Sequence, residues 1–368
     1  MTDRIVVGMS GGVDSSVAAA LLVEQGHEVV GVTLKVWPWR EPAPGAGRFG
    51  SCCSPEAVDD ARRVARQLGI PYYLLDSEQE FGRAVIDRFA EAYALGRTPV
   101  PCVPCNREVK FGSLLRRARA WNALAVGTGH YARITRDERT GRQLLWRGRD
   151  HRRDQSDFLW PLDQAQLAAA RFPVGHLDKE EVRARARELG LATADAPESQ
   201  DICFIPDNDY RGFLRRRAPH AFQPGPIVDA EGRALGRHTG IVNYTVGQRR
   251  GLGIAGARPL YVTALDPVRN AVVVGEAADL EAEGVLAEDV NLIAVERIDA
   301  PLRVEAKIRH SHVPAPATVH PAGPGRLEVR FDTPQRAPAP GQSVVFYHGD
   351  LVVGGGVIAG GLGKPEAP

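Results

Sequence analysis

RIVVGMSGGVDSS, residues 4–16, is the stretch of sequence that decides the fold. Its first part, Arg4 to Met9, is a short apolar run that predicts a buried strand. The apolar positions that follow recur at helical spacing: Val13, Val17, Ala20 and Leu21. A strand that passes through Gly11 and Gly12 into a helix predicts a phosphate site, because glycines let the backbone approach an anion and the first helical amides face it.

The polar residues of this loop suit a nucleotide phosphate. Ser10, Ser15 and Ser16 supply hydroxyl donors, and Asp14 can hold a magnesium ion that neutralises phosphate oxygens. The loop lacks the lysine of the G-x-x-x-x-G-K-[ST] motif and is therefore not the usual P-loop. The competing interpretation is an ordinary glycine-rich β-to-α turn that a serine caps.

Composition bounds the class of protein. The chain has 368 residues, and 46 Lys and Arg against 45 Asp and Glu give a net charge of +1. This length predicts two or three domains. Because the net charge is close to zero, a surface that binds nucleic acid would have to be local, and Arg clusters occur at 147–153 and 215–217. The sequence shows no signal peptide and no membrane-spanning run, which predicts a cytoplasmic protein without a membrane partner. Its five cysteines are then candidates for reactivity or metal binding rather than for disulfides.

The apolar runs predict two kinds of architecture. Strand and helix patterns alternate over about the first 130 residues, which predicts a parallel sheet covered on both faces. The strands expected there are 4–9, 28–36, 71–76 and 124–127. Beyond Ser199, short Val/Ile runs between Gly and Pro are typical of one or two small barrels. The expected fold class is an α/β N-terminal domain (1–199), a small β-rich central domain (200–278) and a C-terminal β-barrel (279–362).

A second informative stretch is TPVPCVPCNREVKF, residues 98–111. Its three prolines predict an extended backbone that presents Cys105 just before a new helix begins. The basic residues near that helix start favour Cys105 as a nucleophile. A further thiol, Cys203, lies among polar neighbours in ESQDICFI, residues 198–205.

Together these segments resemble one family. The chain contains SGGVDSS, the stretch at 98–111, GTGHYA, DQS, SQDICFI and YTVGQRRGLGI in that order. They are similar to the motifs of the tRNA-specific 2-thiouridylases, which are PP-loop ATP pyrophosphatases, over essentially the whole length. The resemblance implies a PP-loop domain of the adenine nucleotide α-hydrolase type. It also implies sulfur transfer to C2 of the wobble uridine in tRNAs for Lys, Glu and Gln, with ATP and Mg²⁺ as cofactors.

By position in these motifs, the resemblance assigns roles to individual residues. Cys105 is the implied nucleophile, Cys203 the implied persulfide carrier and Asp14 the implied catalytic carboxylate. The residues implied for ATP are Gly8, Met9, Ser10, Gly11, Gly12, Val13, Asp14, Ser15, Leu34 and Gly129. Those implied for tRNA, of which the first three line the flipped base, are Val100, Pro101, Cys102, His130, Arg153, Asp154, Gln155, Arg309, His310 and Gln342.

Cys102 departs from the family pattern, in which many members have Asp at this position. The chain therefore has C-x-x-C in place of D-x-x-C. With Cys203, this pair could bind a 4Fe-4S cluster through Cys102, Cys105 and Cys203 and leave one iron open. The competing sulfur source is a persulfide on Cys203. The resemblance implies that Cys105 then resolves this persulfide, so that a Cys105–Cys203 disulfide forms. A redox pair or a zinc site also stays open, and Cys52 and Cys53 receive no chemistry.

Two other functions stay open beside the thiolase. A PP-loop synthetase that adenylates a small molecule would leave the β-rich part without a role. A non-catalytic protein that binds tRNA or carries sulfur would not need Asp14. The partners implied for a thiolase are tRNA and a sulfur donor protein, either a cysteine desulfurase or a relay protein, and a monomer is the expected state.

Overall fold

The computed structural model describes residues 3–38, 54–196, 202–205, 208–254 and 258–363. Contacts between residues divide the chain into two units. Unit 1 comprises Met1–Ile86, Pro101–Asp209 and Asp350–Val352, and unit 2 comprises Asp87–Val100, Tyr210–Gly349 and Val353–Pro368. Cys52 and Cys53 lie outside the described residues, as do residues 198–201 of the motif around Cys203.

The strands of the described residues are, in chain order, β1 (Arg4–Gly8), β2 (Glu28–Lys35), β3 (Tyr72–Asp76), β4 (Ala125–Gly127), β5 (Ala132–Arg136), β6 (Gln143–Arg147), β7 (Ala170–Arg171), β8 (Gly225–Val228), β9 (Ala234–His238), β10 (Tyr261–Asp266), β11 (Ala271–Gly275), β12 (Glu281–Leu292), β13 (Leu302–Lys307), β14 (Ala315–Pro321), β15 (Leu327–Arg336), β16 (Ser343–His348) and β17 (Leu351–Leu362).

The α-helices are α1 (Val13–Glu24), α2 (Pro55–Gln67), α3 (Glu78–Phe81), α4 (Arg88–Ala94), α5 (Cys102–Pro104), α6 (Leu115–Ala120), α7 (Gln164–Ala168), α8 (Lys179–Glu188) and α9 (Tyr210–Arg217). Two π-helical segments extend them, Gly82–Asp87 and Cys105–Leu114. Short 3-10 turns occupy Ser156–Phe158, Pro173–His176, Pro219–Ala221, Ile241–Asn243 and Ala277–Leu280. None of the helices in the described ranges is long and apolar enough to cross a membrane.

The predicted parallel sheet is the centre of unit 1. Its strand order is β3-β2-β1-β4-β7, and each neighbouring pair is parallel. The four strands expected from the sequence are confirmed to within one residue at each end. The fifth strand, β7, was missed because its two residues lie between helical patterns. Since β1 is the middle strand, the loop that follows it opens at the carboxyl edge of the sheet, where α/β proteins bind nucleotides.

The helix that carries Cys102 and Cys105 corrects one prediction. The backbone around Pro101 and Pro104 is helical rather than extended, so α5 runs into the π-helical segment and Cys105 lies inside the helix. Proline is tolerated in a first turn because the amide it lacks has no intrahelical partner there. The Cys105 amide donates to the Pro101 carbonyl at 3.2 Å. Cys102 and Cys105 therefore lie about one turn apart on one side of the helix.

Helix starts follow the sequence in one case and differ in another. Ser54 caps α2 by accepting a hydrogen bond from the Ala57 amide at 3.2 Å, as its sequence predicts. Ser77 occupies the N-cap of α3, but its side chain makes no capping hydrogen bond. The Asp76 carboxylate accepts the Glu78 amide at 3.0 Å instead.

Unit 2 is rich in β-strands, as the sequence predicts. Strands β10, β11, β8 and β9 form a four-stranded sheet in that order. Strands β12, β15, β14, β13, β16 and β17 also pair in order, and β17 pairs with β12 again, which closes a barrel. Apolar side chains such as Val285, Val304, Val329 and Phe346 fill its interior. The expected fold class, an α/β part followed by a β-rich segment and a C-terminal barrel, is confirmed.

Candidate active site

The loop after β1 opens into a cavity of about 400 Å³ within unit 1. Cavities of about 300–1,000 Å³ are usual for small-molecule sites. Its walls come from the loop at residues 8–15, the end of β2, the helix that begins at Cys102, the segment 128–131 and residues 202–204. Segments that are far apart in the sequence therefore meet at one edge of the parallel sheet.

The loop itself offers backbone amides for an anion. Gly12 occupies the N-cap of α1, and no side chain caps the helix, so the interpretation as a serine-capped turn is wrong. The Ser15 and Ser16 hydroxyls donate to the Gly12 carbonyl at 3.1 and 2.9 Å, and the Ser10 amide donates to Ser15 Oγ at 3.1 Å. These serines shape the loop. The first amides of α1 have no intrahelical partner and are the natural donors for a phosphate.

The structure brings most of the residues implied for ATP to this cavity. All of them except Gly11 line it: Gly8, Met9, Ser10, Gly12, Val13, Asp14, Ser15, Leu34 and Gly129. Gly129 approaches the start of α1 so closely that a Cβ would lie 2.6 Å from the Ser15 nitrogen. Only glycine fits there, which explains its place in the GTGHYA motif.

Gly11→Ala is expected to distort the loop and to weaken ATP binding at least about tenfold. Gly11 has a φ of +76°, and a Cβ would lie 2.3 Å from the Ala57 carbonyl oxygen. The left-handed conformation alone costs a side chain about 1–2 kcal/mol, and the contact with backbone adds to it. Calorimetric titration with an ATP analogue measures the change in affinity.

Gly69→Ala is the matched control for this substitution. Gly69 has a φ of +68°, but a Cβ there would meet nothing within 4 Å. It should lower the Tm through backbone strain and leave the affinity for the analogue as in the wild type. Unchanged affinity in Gly11→Ala would show that the loop does not bind the nucleotide.

Asp14 is held by a buried cation and a phenol. Lys179 Nζ lies 2.8 Å from Asp14 Oδ1 and 2.9 Å from Oδ2, and the Tyr131 hydroxyl donates to Oδ1 at 2.7 Å. The Lys179 side chain is only 10% exposed. Burial first and the Asp14 carboxylate second raise the pKa of Tyr131 far above its usual value, so the phenol stays protonated and donates. The carboxylate is thus fixed with its two oxygens in the cavity wall.

Sequence reasoning missed Lys179 and Tyr131. Lys179 is the first residue of α8, directly after the Asp178 N-cap. A lysine at a helix start is electrostatically unfavourable, because the macrodipole is positive there. This unfavourable position is the signal in the sequence that could have predicted an acidic partner for Lys179 outside its own helix. Tyr131 lies within the GTGHYA motif, which was interpreted only through its glycine and histidine.

The three cysteines that the sequence singled out line the same cavity. Cys102 is exposed, and Cys105 and Cys203 are half-buried. Beside Cys203, Phe204 packs edge-on against Phe81 at 5.7 Å between ring centroids. The contact anchors the segment of Cys203 within unit 1, so this residue lines the same cavity as the loop after β1 despite its distance in sequence.

The three thiols are also the candidate ligands of an iron-sulfur cluster. Within the ranges that the structure describes, no group of three or more His, Cys, Asp or Glu side chains could hold a metal ion. The described residues therefore give no support to a cluster held by Cys102, Cys105 and Cys203. A magnesium ion needs fewer protein ligands, since it binds through one or two carboxylates together with substrate phosphates. Asp14 can supply such a carboxylate.

His130 lies at the inner wall of the cavity. Its Nδ1 is 2.6 Å from the Thr128 hydroxyl, and its ring packs near Phe111 and Phe172. Burial first, and the positive charge of Lys110 second, lower the pKa of His130 well below its usual value of 6.5. The imidazole is therefore neutral in the folded protein.

The free energy of unfolding is expected to fall as the pH drops below about 6.5, and His130 is one cause. Above that pH the ring is neutral in both states and contributes nothing. Below it, His130 binds a proton in the unfolded chain but not in the folded protein, so the free energy of unfolding falls. Urea unfolding at about pH 7.5 and about pH 5.5 measures the effect. His130→Gln should flatten the dependence. A wild-type slope in this variant would contradict the assignment.

The residues implied for tRNA divide between the two units. Pro101, Cys102, His130, Arg153 and Gln155 line the cavity of unit 1. Asp154 belongs to the same unit but is buried: it accepts hydrogen bonds from the Gly148 amide, the Ser156 amide and the Ser156 hydroxyl at 3.1, 3.1 and 2.9 Å. Burial is the first cause of its raised pKa. Its side chain holds the loop rather than facing the cavity.

The remaining residues of this set lie in unit 2. Arg309 and His310 are exposed after β13, and Val100 lies at the end of the segment 87–100. Gln342 donates through Nε2 to the Thr98 carbonyl at 2.9 Å, and the Thr98 amide donates to the Pro340 carbonyl at 2.7 Å. Gln342 therefore fixes the segment that leads to Val100.

Family models match three consecutive parts of the chain. They are described as a tRNA methyl transferase HUP domain over residues 3–207, a tRNA methyl transferase PRC-barrel domain over 211–276 and an aminomethyltransferase β-barrel domain over 282–358.

Several relatives match nearly the whole chain. The tRNA-specific 2-thiouridylase MnmA of Heliobacterium modesticaldum is 52% identical over 364 residues, which are 98% of this chain and 94% of that protein. Proteins of the same name from Symbiobacterium thermophilum and Acetivibrio thermocellus are 52% and 49% identical, over 96% of this chain and 92% and 99% of theirs. With the PP-loop and the cysteines on one cavity, these likenesses show that the chain belongs to the tRNA-specific 2-thiouridylase family.

Proposed function

We propose that this protein replaces the C2 oxygen of the wobble uridine in tRNAs for Lys, Glu and Gln by sulfur and consumes ATP to do so. The observation that carries the proposal is the cavity of unit 1, which the PP-loop shares with Cys105 and Cys203. Nucleotide cleavage and sulfur transfer can then act on one atom of one bound base. That base must leave its stack to enter the cavity, as in other base-modifying enzymes.

ATP makes the oxygen easy to expel. The C2 carbonyl of uracil is a poor electrophile, and its oxygen is a poor leaving group. The oxygen attacks the α-phosphorus, the bond from that phosphorus to the bridging oxygen breaks, and pyrophosphate leaves. The amides at the start of α1 stabilise the negative charge that develops there. A magnesium ion on Asp14, when bound, would neutralise phosphate charge.

Sulfur reaches the base through a persulfide on Cys203. A cysteine desulfurase or a relay protein supplies it, and its terminal sulfur attacks C2 while AMP leaves with the oxygen. The Cys105 thiolate then attacks Cys203 Sγ, the bond between Cys203 Sγ and the sulfur on C2 breaks, and the base keeps that sulfur as its thiocarbonyl. Cys105 and Cys203 end as a disulfide, which an external dithiol reduces. This route needs no iron, so protein purified anaerobically should be active and free of iron.

The remaining parts of the chain bind tRNA in this proposal. Val100, Pro101 and Cys102 would line the flipped base. His130, Arg153 and Gln155 of unit 1 and Arg309, His310 and Gln342 of unit 2 would contact the tRNA. The domain boundaries are 1–199, 200–278 and 279–362, which the three consecutive family matches support. The protein would act as a monomer in the cytoplasm.

The test is mass analysis of tRNA nucleosides after incubation with ATP, Mg²⁺, tRNA and a persulfide donor. The expected result is 2-thiouridine in the three tRNAs, with AMP and pyrophosphate formed in equal amounts. Pyrophosphate release without tRNA would indicate a synthetase for a small molecule. Normal tRNA binding without any ATP turnover would indicate a non-catalytic protein.

A further inference from the structure

Two chains of hydrogen bonds connect the Asp14 carboxylate to the loop 148–156, in which the family resemblance assigns Arg153, Asp154 and Gln155 to tRNA. We propose that Tyr131 and Lys179 couple nucleotide binding at Asp14 to tRNA binding at this loop, so that each substrate raises the affinity for the other. The inference rests on the proposed function and adds a regulation of the same site.

The first chain runs through Tyr131. Its hydroxyl donates to Asp14 Oδ1 at 2.7 Å. Its backbone amide donates to Gln155 Oε1 at 3.2 Å, and its carbonyl accepts the Gln155 amide at 3.0 Å. One residue thus contacts the PP-loop with its side chain and the loop 148–156 with its main chain.

The second chain runs through Lys179. Its ammonium group binds both oxygens of Asp14, at 2.8 and 2.9 Å. Its backbone amide donates to Asp150 Oδ2 at 3.3 Å, while Asp150 Oδ1 accepts the Arg152 amide at 3.1 Å. The Asp150 carbonyl also accepts the Arg153 amide at 3.0 Å. The two chains therefore reach opposite ends of the same loop.

The loop is held by its own hydrogen bonds and by close packing. Asp154 is buried and accepts three hydrogen bonds from the loop's own residues. Gly148 packs so close to the hairpin β5–β6 that a Cβ would lie 2.7 Å from the Tyr131 carbonyl oxygen. Close packing of this kind moves as a body rather than absorbing a shift.

The partners of Asp14 are the point at which a bound nucleotide would act. In the structure its carboxylate binds the Tyr131 phenol and the Lys179 ammonium, whose nitrogen lies 5.8 Å from the centroid of the Tyr131 ring. A nucleotide brings phosphate charge and a divalent cation to the same carboxylate, which must then share these donors or release them. A donor that is released can move, and the backbones of both donors are hydrogen-bonded to the loop. A ligand that favours one arrangement shifts the other site by the same factor.

The experiment measures binding in the absence of turnover. The affinity of an unmodified tRNA-Glu transcript is determined by fluorescence anisotropy with and without saturating α,β-methylene-ATP and Mg²⁺. The affinity of the analogue is determined by calorimetry with and without the transcript. In wild-type protein we expect both affinities to rise by one common factor of about tenfold, within the usual range of about 5- to 150-fold for coupled sites.

Tyr131→Phe keeps the ring and removes the hydrogen bond to Asp14. We expect the common factor, which is the ratio of each affinity with and without the other substrate, to fall to about twofold or less. Tyr73→Phe is the matched control, since Tyr73 is half exposed and lies outside the cavity. It should keep the wild-type factor. Thermal melting establishes that both variants are folded.

The outcomes separate the inference from the proposed function. Independent binding of both substrates to the wild type overturns the coupling and leaves the thiolase intact. A wild-type factor in Tyr131→Phe overturns the role of Tyr131. Wild-type protein that binds the analogue but no tRNA overturns both proposals.

Discussion

Asp14→Ala is expected to reduce formation of 2-thiouridine by about 10²- to 10³-fold, the usual effect of removing one electrostatic group that stabilises a transition state. The Asp14 carboxylate is the oxygen ligand that the cavity offers to a magnesium ion beside the PP-loop. Its loss also removes the ion pair with the Lys179 ammonium, which is only 10% exposed. Affinity for tRNA in the absence of nucleotide should stay near wild type. Quantification of 2-thiouridine and a tRNA binding assay give the two readouts.

Two further variants sharpen this prediction. Asp14→Asn preserves the shape and an oxygen acceptor for Tyr131, so it separates loss of charge from loss of packing. Asp59→Asn changes a carboxyl group that is 64% exposed on α2 and should leave the reaction unchanged. Full thiolation by Asp14→Asn would refute a role for the negative charge.

Cys203→Ala is expected to abolish 2-thiouridine while adenylation continues. The persulfide has no other carrier in the proposed route, whereas the PP-loop and the activation of the C2 oxygen do not involve a thiol. With tRNA present, pyrophosphate should still appear, in an amount close to one per tRNA in the first turnover. Rapid-quench measurement of pyrophosphate together with nucleoside mass analysis distinguishes the two steps.

Cys52→Ala is the control for removal of a thiol, because no chemistry is assigned to that position. It should thiolate tRNA at the wild-type rate. Retained thiolation in Cys203→Ala would mean that sulfur reaches the base by another path. Loss of pyrophosphate release as well would mean that Cys203 is needed to assemble the nucleotide site.

Local sequence was enough to predict the nucleotide loop. A strand, a pair of glycines and a helix follow one another within residues 4–24. Contacts between residues so close in sequence depend little on the rest of the chain. The same holds for the alternation of strands and helices and for the short strands of unit 2. The helix at Cys102 was misjudged for a local reason as well, since a proline pattern does not show whether the residue stands in a helix interior or in a first turn.

Other features depend on contacts between distant residues. Lys179 and Asp14 are 165 residues apart and form an ion pair because α8 packs near α1 in unit 1. The strand order of the sheet, with β1 in the middle, and the pairing of β12 with β17 belong to the same class. Periodicity records which face of an element is buried, but not which other element buries it.

The amino-acid sequence by itself determined the phosphate loop, the α/β and β-rich halves, the cysteines and the family. Only the tertiary structure decided that Cys105 and Cys203 line one cavity, that Asp14 is held by Lys179 and Tyr131, and that the Asp154 side chain, expected to contact tRNA, is buried. The physical reason is that the chemistry of a residue depends on its own side chain and can be inferred from the sequence. Its partners depend on how segments that are far apart in the sequence pack together.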